Sequence, residues 1–202
     1  MPQSNLSIVP VRATASDKAE MVTQLLYGEE YTVLEKVEKW VKIKLTDDQY
    51  VGWICAKQFN EETFLTSKKV FSKDPILPLM NENGNLNILS FGSYISEKVK
   101  STFSSNYSRV INENESELVF YANLFVNTPY LWGGKSIFGV DCSGFIQLAF
   151  KAIGVKLPRD AYQQAKIGEL VEFKNLKVED VAFFESNGRI CLLYTSPSPR
   201  DA

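Results

Sequence analysis

Histidine is absent from all 202 residues. A cysteine, serine or threonine nucleophile normally hands its proton to an imidazole, so hydrolytic chemistry of that kind cannot be completed within these residues. Cysteine is scarce. Cys55, Cys142 and Cys191 are too few and too odd in number for a disulfide framework. Without a Cys/His cluster no structural zinc is expected, and no metal or organic cofactor is implied. No apolar run approaches the ~18 residues of a membrane-spanning helix. Met1–Asn5 has neither a basic n-region nor an apolar h-region, so a protein that begins at Met1 is expected in the cytoplasm, and a trimmed one in the periplasm or secreted. Charge of either sign is not in excess: the net value is −2. Nucleic acid and anionic membrane therefore gain no support as partners. A monomer is expected.

What remains is ordinary globular composition, 45% hydrophobic and 23% charged, with length for one large or two small domains. Residues 6–58 read as all-β. Trp40–Leu45 alternates apolar and basic side chains, Thr46–Gln49 supplies a turn, and Tyr50–Cys55 follows as a second strand. Ser7–Val11, Val22–Tyr27 and Tyr31–Val37 are also strand-like, and five short strands suggest a small barrel. Residues 59–114 predict a degenerate second β unit: a hairpin from Pro75 to Leu89 around Asn81–Asn85, a strand at Phe91–Ile95, and a linker over Ser101–Asn114. From Glu115 the period becomes helical. Leu118, Tyr121, Ala122 and Phe125 share one face, and Thr128-Pro129 ends that run. Phe145, Leu148, Ala149 and Ala152 share another, and Gly154 stops it. Glu169–Phe173 and Val181–Phe184 read as strands.

The chemistry concentrates at Asp141-Cys142-Ser143-Gly144, where a glycine-rich loop (Gly133, Gly134, Gly139) becomes a helix. A helix N-terminus offers unpaired N–H groups and the positive end of the dipole. Both favour thiolate over thiol and can receive an oxyanion. The plain alternative is a structural cysteine at the head of a core helix. Pro129-Tyr130-Leu131-Trp132-Gly133-Gly134 upstream and Leu157-Pro158-Arg159-Asp160 downstream weigh against it.

Together these segments resemble the NlpC-type bacterial cell-wall cysteine peptidases, which have a papain-like fold. Residues 6–58 resemble a bacterial SH3-like domain, a pairing similar to that of the γ-D-glutamyl-L-diamino acid endopeptidases. The resemblance implies an α+β chain: an SH3-like barrel at 1–58, the second β unit and linker at 59–114, and an incomplete peptidase domain, helix then antiparallel sheet, at 115–190. It implies Cys142 as the nucleophile that forms an acyl-enzyme and Tyr130 near the thiol and the oxyanion. Asp141 would bind the free α-amine of a terminal L-alanine, although it also suits a helix N-cap. Ser143 and Arg159 would hold the α-carboxylate of D-glutamate, since a guanidinium fork matches a carboxylate. Asp160 would orient Arg159 or cap the next helix. Glu20 and Tyr50 are candidates for a wall, contributed by the barrel, that admits only a free N-terminus.

Glu179–Phe184 matches the strand that in this family leads toward the catalytic histidine, with Glu179 where glycine is usual. No residue of this chain fills the histidine position. Residues 191–202 instead run into Ser196-Pro197-Ser198-Pro199-Arg200. They look like a translated sequencing adapter, so a truncated frame is expected, with an inactive polypeptide, poor folding beyond about residue 114 and no role for Cys191. The implied substrates are peptidoglycan-derived peptides, L-Ala-γ-D-Glu-diamino acid. Two alternatives stand beside this reading: a non-catalytic wall-peptide binding module, and an amidase or acyltransferase on the same fold.

Overall fold

The computed structural model describes residues 1–80, 84–99, 116–186 and 189–192. Five strands open the chain: β1 (Ile8–Arg12), β2 (Met21–Leu26), β3 (Tyr31–Val37), β4 (Trp40–Leu45) and β5 (Val51–Cys55). They form an antiparallel sheet in the order β2-β1-β5-β4-β3. The expected strands are thus present, in a sheet with no β2–β3 ladder among the described residues rather than a closed barrel. The alternation in β4 works as its sequence implies. Val41, Ile43 and Leu45 enter a core with Val9, Val11, Leu25, Tyr31 and Ile54, while Lys42 and Lys44 point away from it. Each of those aliphatic side chains contributes roughly 1.5–3 kcal/mol on burial. Gln49, at φ 62, closes the turn into β5.

The second β unit consists of two ladders. β6 (Lys69–Phe71) pairs with β9 (Tyr94–Ser96), and β7 (Ile76–Met80) pairs with β8 (Leu86–Ser90). Its small core, Leu77, Leu89 and Ile95, closes on Tyr27 from just beyond β2. The linker expected over 101–114 lies outside the described residues.

Helix α1 (Glu117–Asn123) is capped by Ser116, whose hydroxyl accepts from Val119 N–H. A two-residue hairpin follows, β10 (Lys135–Ser136) with β11 (Gly139–Val140). It leads into α2 (Cys142–Ala152). Gly154, at φ 87, ends α2 in a paired arrangement: its own N–H reaches Lys151 O and the N–H of Val155 reaches Phe150 O. The short helix α3 (Ala161–Gln164) and the hairpin β12 (Phe183–Ser186) with β13 (Arg189–Leu192) complete the described chain. Residues beyond Leu192 lie outside it. None of the helices among the described residues is long and apolar enough to cross a membrane.

The strand expected at Glu169–Phe173 is not formed; a 3-10 turn at Phe173–Asn175 stands at its end. Leu170, Val171 and Phe173 are exposed, so neither face of such a strand has a second layer to bury against. The other expected strand begins later, at Phe183, because the Asp180 carboxylate accepts from Lys177 N–H at 2.7 Å and holds a turn there.

A third cluster is shared by all three segments. Leu26 from β2 and Phe91 from the second β unit pack with Phe120, Tyr121, Phe125, Val140, Leu148 and Ala152. Phe91 sits edge-on to both Phe71 and Phe125, at 5.5 and 5.4 Å between ring centres. Helix α2 is thereby fixed against the N-terminal sheet.

Candidate active site

Cys142 is the first residue of α2, half-buried, with its thiol not in a disulfide. Asp141 is the N-cap, in extended backbone at φ −94 and ψ 174, and its Oδ1 accepts from Gly144 N–H at 2.7 Å. Its Oδ2 accepts from Gly133 N–H at 2.9 Å, which ties the glycine loop to the helix start. Tyr130 forms a parallel bridge with Val140, two residues ahead of Cys142, and the residue is 64% exposed. Tyr130, Asp141, Cys142 and Ser143 are thereby brought to one place by the loop, β11 and the first turn of α2.

Arg159 is 1% exposed, the largest fully buried side chain among the described residues. Its fork does meet a carboxylate, but that carboxylate is Asp141: NH1 to Oδ1 at 2.9 Å and NH2 to Oδ2 at 2.7 Å. NH1 also donates to Ser143 Oγ at 2.8 Å, NH2 to Gly134 O at 3.2 Å, and Nε to Thr23 Oγ1 at 2.9 Å. All five guanidinium N–H groups are therefore used within the protein. Two glutamines latch the segment that carries Arg159. Gln147 donates to Leu157 O at 3.0 Å and Gln164 to Pro158 O at 2.8 Å.

The N-terminal sheet lines this site. Trp132 Nε1 donates to Glu20 Oε1 at 2.6 Å, and the tryptophan is 61% exposed. Tyr50 donates to Asp160 Oδ1 at 3.2 Å. Burial first, then the charge of Asp160 and this bond, push the Tyr50 hydroxyl well above its ordinary range, so it stays protonated. Burial also raises Asp160, against the bond from Tyr50 and the charge of Arg159. Gly133, at φ 73, lies so near β2 that a Cβ there would be 2.1 Å from Met21 O. This is a close approach that only glycine permits.

Behind the site lies a buried ionic cluster. Lys135 Nζ donates to both oxygens of Glu29, at 2.9 and 3.0 Å. Lys151 reaches Glu29 at 3.4 Å and Asp47 at 2.6 Å, and Tyr94 donates to Asp47 at 2.8 Å. None of Thr23, Glu29, Lys135 or Lys151 stands out in the sequence, since a lone charged or hydroxyl residue gives no sign that its partner lies about a hundred residues away.

Residues 127–195 match the model of the NlpC/P60 family, and residues 11–59 match that of the bacterial dipeptidyl-peptidase Sh3 domain. The chain carries an NlpC/P60 domain. It is similar to the gamma-D-glutamyl-L-lysine dipeptidyl-peptidase of Bacillus subtilis (strain 168), 31% identical over 187 residues, covering 80% of this chain and 63% of the relative. The protein of the same name from Bacillus cereus (strain ATCC 10987 / NRS 248) is 28% identical over 210 residues, covering 85% of this chain and 61% of the relative. The chain thus spans about three fifths of the length of these two relatives. Over a shorter stretch, 68 residues, it is 40% identical to the murein DD-endopeptidase MepS/murein LD-carboxypeptidase of Escherichia coli (strain K12), covering 32% of this chain and 36% of that protein. A crystal structure of an NlpC/P60 family protein from Bacillus cereus ATCC 10987 superposes with a TM-score of 0.77 at 19% identity, covering 96% of this chain and 86% of that one. The likeness establishes the fold: an SH3-like sheet joined to an NlpC/P60 domain.

Proposed function

We propose that this chain belongs to a cysteine peptidase that cuts the bond between γ-D-glutamate and a diamino acid in peptidoglycan-derived peptides with a free N-terminal L-alanine. The observation that carries the reading is Cys142 at the head of α2, behind an N-cap carboxylate clamped by Arg159. Cys142 attacks the carbonyl and forms the acyl-enzyme. Asp141 takes the N–H of Gly144, which leaves the oxyanion to N–H groups ahead of it and to the Tyr130 hydroxyl. The substrate ammonium sits against Glu20, with Tyr50 and the Trp132 ring closing that end of the cleft. Asp141, whose oxygens already accept from Gly133, Gly144 and Arg159, attracts it by charge and not through a further hydrogen bond.

Arg159 has no N–H to spare, so it serves the D-glutamate carboxylate through Ser143. The hydroxyl of Ser143 makes only a 3.3 Å contact with Asp141 and can turn outward while still accepting from Arg159. The names of the two Bacillus relatives support this substrate class. With no imidazole in 202 residues, the polypeptide itself binds such peptides without hydrolysing them.

Calorimetry with L-Ala-γ-D-Glu-L-Lys and its N-acetylated form tests the reading. The free-amine peptide is expected to bind at least about tenfold more tightly, since acetylation removes a charged hydrogen bond, and mass spectrometry is expected to show no cleavage. Equal affinity for the two peptides overturns the amine assignment, and turnover overturns the inactivity.

A further inference from the structure

We infer that Thr23, a residue of the N-terminal sheet, is a positioning residue of the Cys142 site, acting through Arg159. Four of the five hydrogen bonds from Arg159 end on the loop and helix start that they organise: Gly134, Ser143 and both oxygens of Asp141. Those four fix the guanidinium relative to the helix start but not relative to the rest of the molecule. The fifth, Nε to Thr23 Oγ1 at 2.9 Å, leaves for another part of the fold. It pins the opposite edge of the guanidinium plane to β2 and so anchors the carboxylate and the hydroxyl beside Cys142 to the N-terminal sheet.

Strand β2 is shaped for this. The register with β1 shifts between Val11, opposite Thr23, and Arg12, opposite Met21, which leaves Val22 as an extra residue. A bulge of this kind re-aims the side chains beside it. On one side of it Met21 O approaches Gly133, and on the other Thr23 is fully buried against Arg159. The next residue repeats the theme, since Gln24 Oε1 accepts from Lys135 N–H at 2.7 Å. Replacing Thr23 by valine keeps the shape and removes the acceptor. Arg159 Nε–H is then buried without a partner, and the guanidinium can regain one only by tilting away from Asp141 and Ser143.

Two measurements on the full chain test this, one of which rests on the proposed function. The first does not: the 15N-resolved Arg159 Nε–H signal is expected to be exchange-protected in the wild type and in Thr23→Ser, and shifted and rapidly exchanging in Thr23→Val and Thr23→Ala. The second is the affinity ratio between L-Ala-γ-D-Glu-L-Lys and its N-acetylated form. It is expected to fall about tenfold in Thr23→Val and to recover in Thr23→Ser, as one buried hydrogen bond is lost and restored. An Nε–H signal unchanged in Thr23→Val and Thr23→Ala overturns the inference. So does an unchanged affinity ratio in a wild type that discriminates. If the wild type does not discriminate between the peptides, the proposed function falls, and the Nε–H comparison still decides the role of Thr23.

Discussion

At the scale of the residue, Glu179 shows how a departure from a family pattern acquires a physical meaning. It occupies a position where glycine is usual, and its backbone lies at φ 85. That region costs a side chain-bearing residue about 1–3 kcal/mol. Glu179 holds it while its carboxylate accepts from Ser116 Oγ at 2.6 Å, an exposed bond of small worth. Glu179→Gly is therefore expected to raise the unfolding free energy by about 1 kcal/mol, the strain relieved less the added freedom of the unfolded glycine. Urea denaturation measures it. A loss of stability instead would show that the Ser116 contact outweighs the strain. Arg159 teaches the complementary lesson. Its place in Leu157-Pro158-Arg159-Asp160 announces a carboxylate partner, and the partner is a carboxylate, but one supplied by the protein itself.

Among the elements, what the sequence made legible is what local patterning encodes. The alternation of Trp40–Leu45, the helical faces of α1 and α2, the N-cap at Asp141 and the stop at Gly154 are all short-range signals, and all stand in the structure. The strand at Glu169–Phe173 failed because a short run of apolar residues does not say whether anything covers it, and Leu170, Val171 and Phe173 are all exposed. The ionic cluster was illegible for the opposite reason: Glu29, Asp47, Lys135 and Lys151 depend wholly on long-range pairing. This cluster makes the docking of α2 sensitive to acid. Burial by itself pushes the Asp47 carboxyl up, but the Lys151 charge together with hydrogen bonds from Lys151 and Tyr94 outweighs it and holds the carboxyl below its ordinary value. A depressed carboxyl contributes stability that is complete above its unfolded value near 3.9 and is lost as pH falls through the folded value. Unfolding free energy should therefore drop as pH falls below about 4. Asp47→Asn is expected to be less stable than the wild type at pH 7 yet to lose less across that acid window. Two curves that stay parallel from pH 7 to pH 3 would remove Asp47 from the account.

For the whole molecule, the question is whether the two family domains are separable. The N-terminal sheet has a core of its own, Val9, Val11, Leu25, Tyr31, Val41, Ile43, Leu45 and Ile54, drawn entirely from β1 to β5. The second half has no such independence. Its cluster borrows Leu26 and Phe91, its loop leans on Met21, Gln24 and Glu29, and its buried arginine is completed by Thr23. Cut away from the sheet, a fragment of residues 116–202 would leave the Lys135 ammonium and the Arg159 Nε–H without the partners seen here, and would expose the apolar face of α2. Exposed Leu170, Phe173 and Val178 already add to that apolar surface. Loss of partners for buried charges costs several kcal/mol, comparable to the entire stability of a small domain. A fragment of residues 1–66 is accordingly expected to unfold cooperatively in urea, while residues 116–202 give a broad transition and bind a hydrophobic dye. A cooperative transition in the isolated second fragment would mean that the sheet merely adjoins the Cys142 site and does not build it.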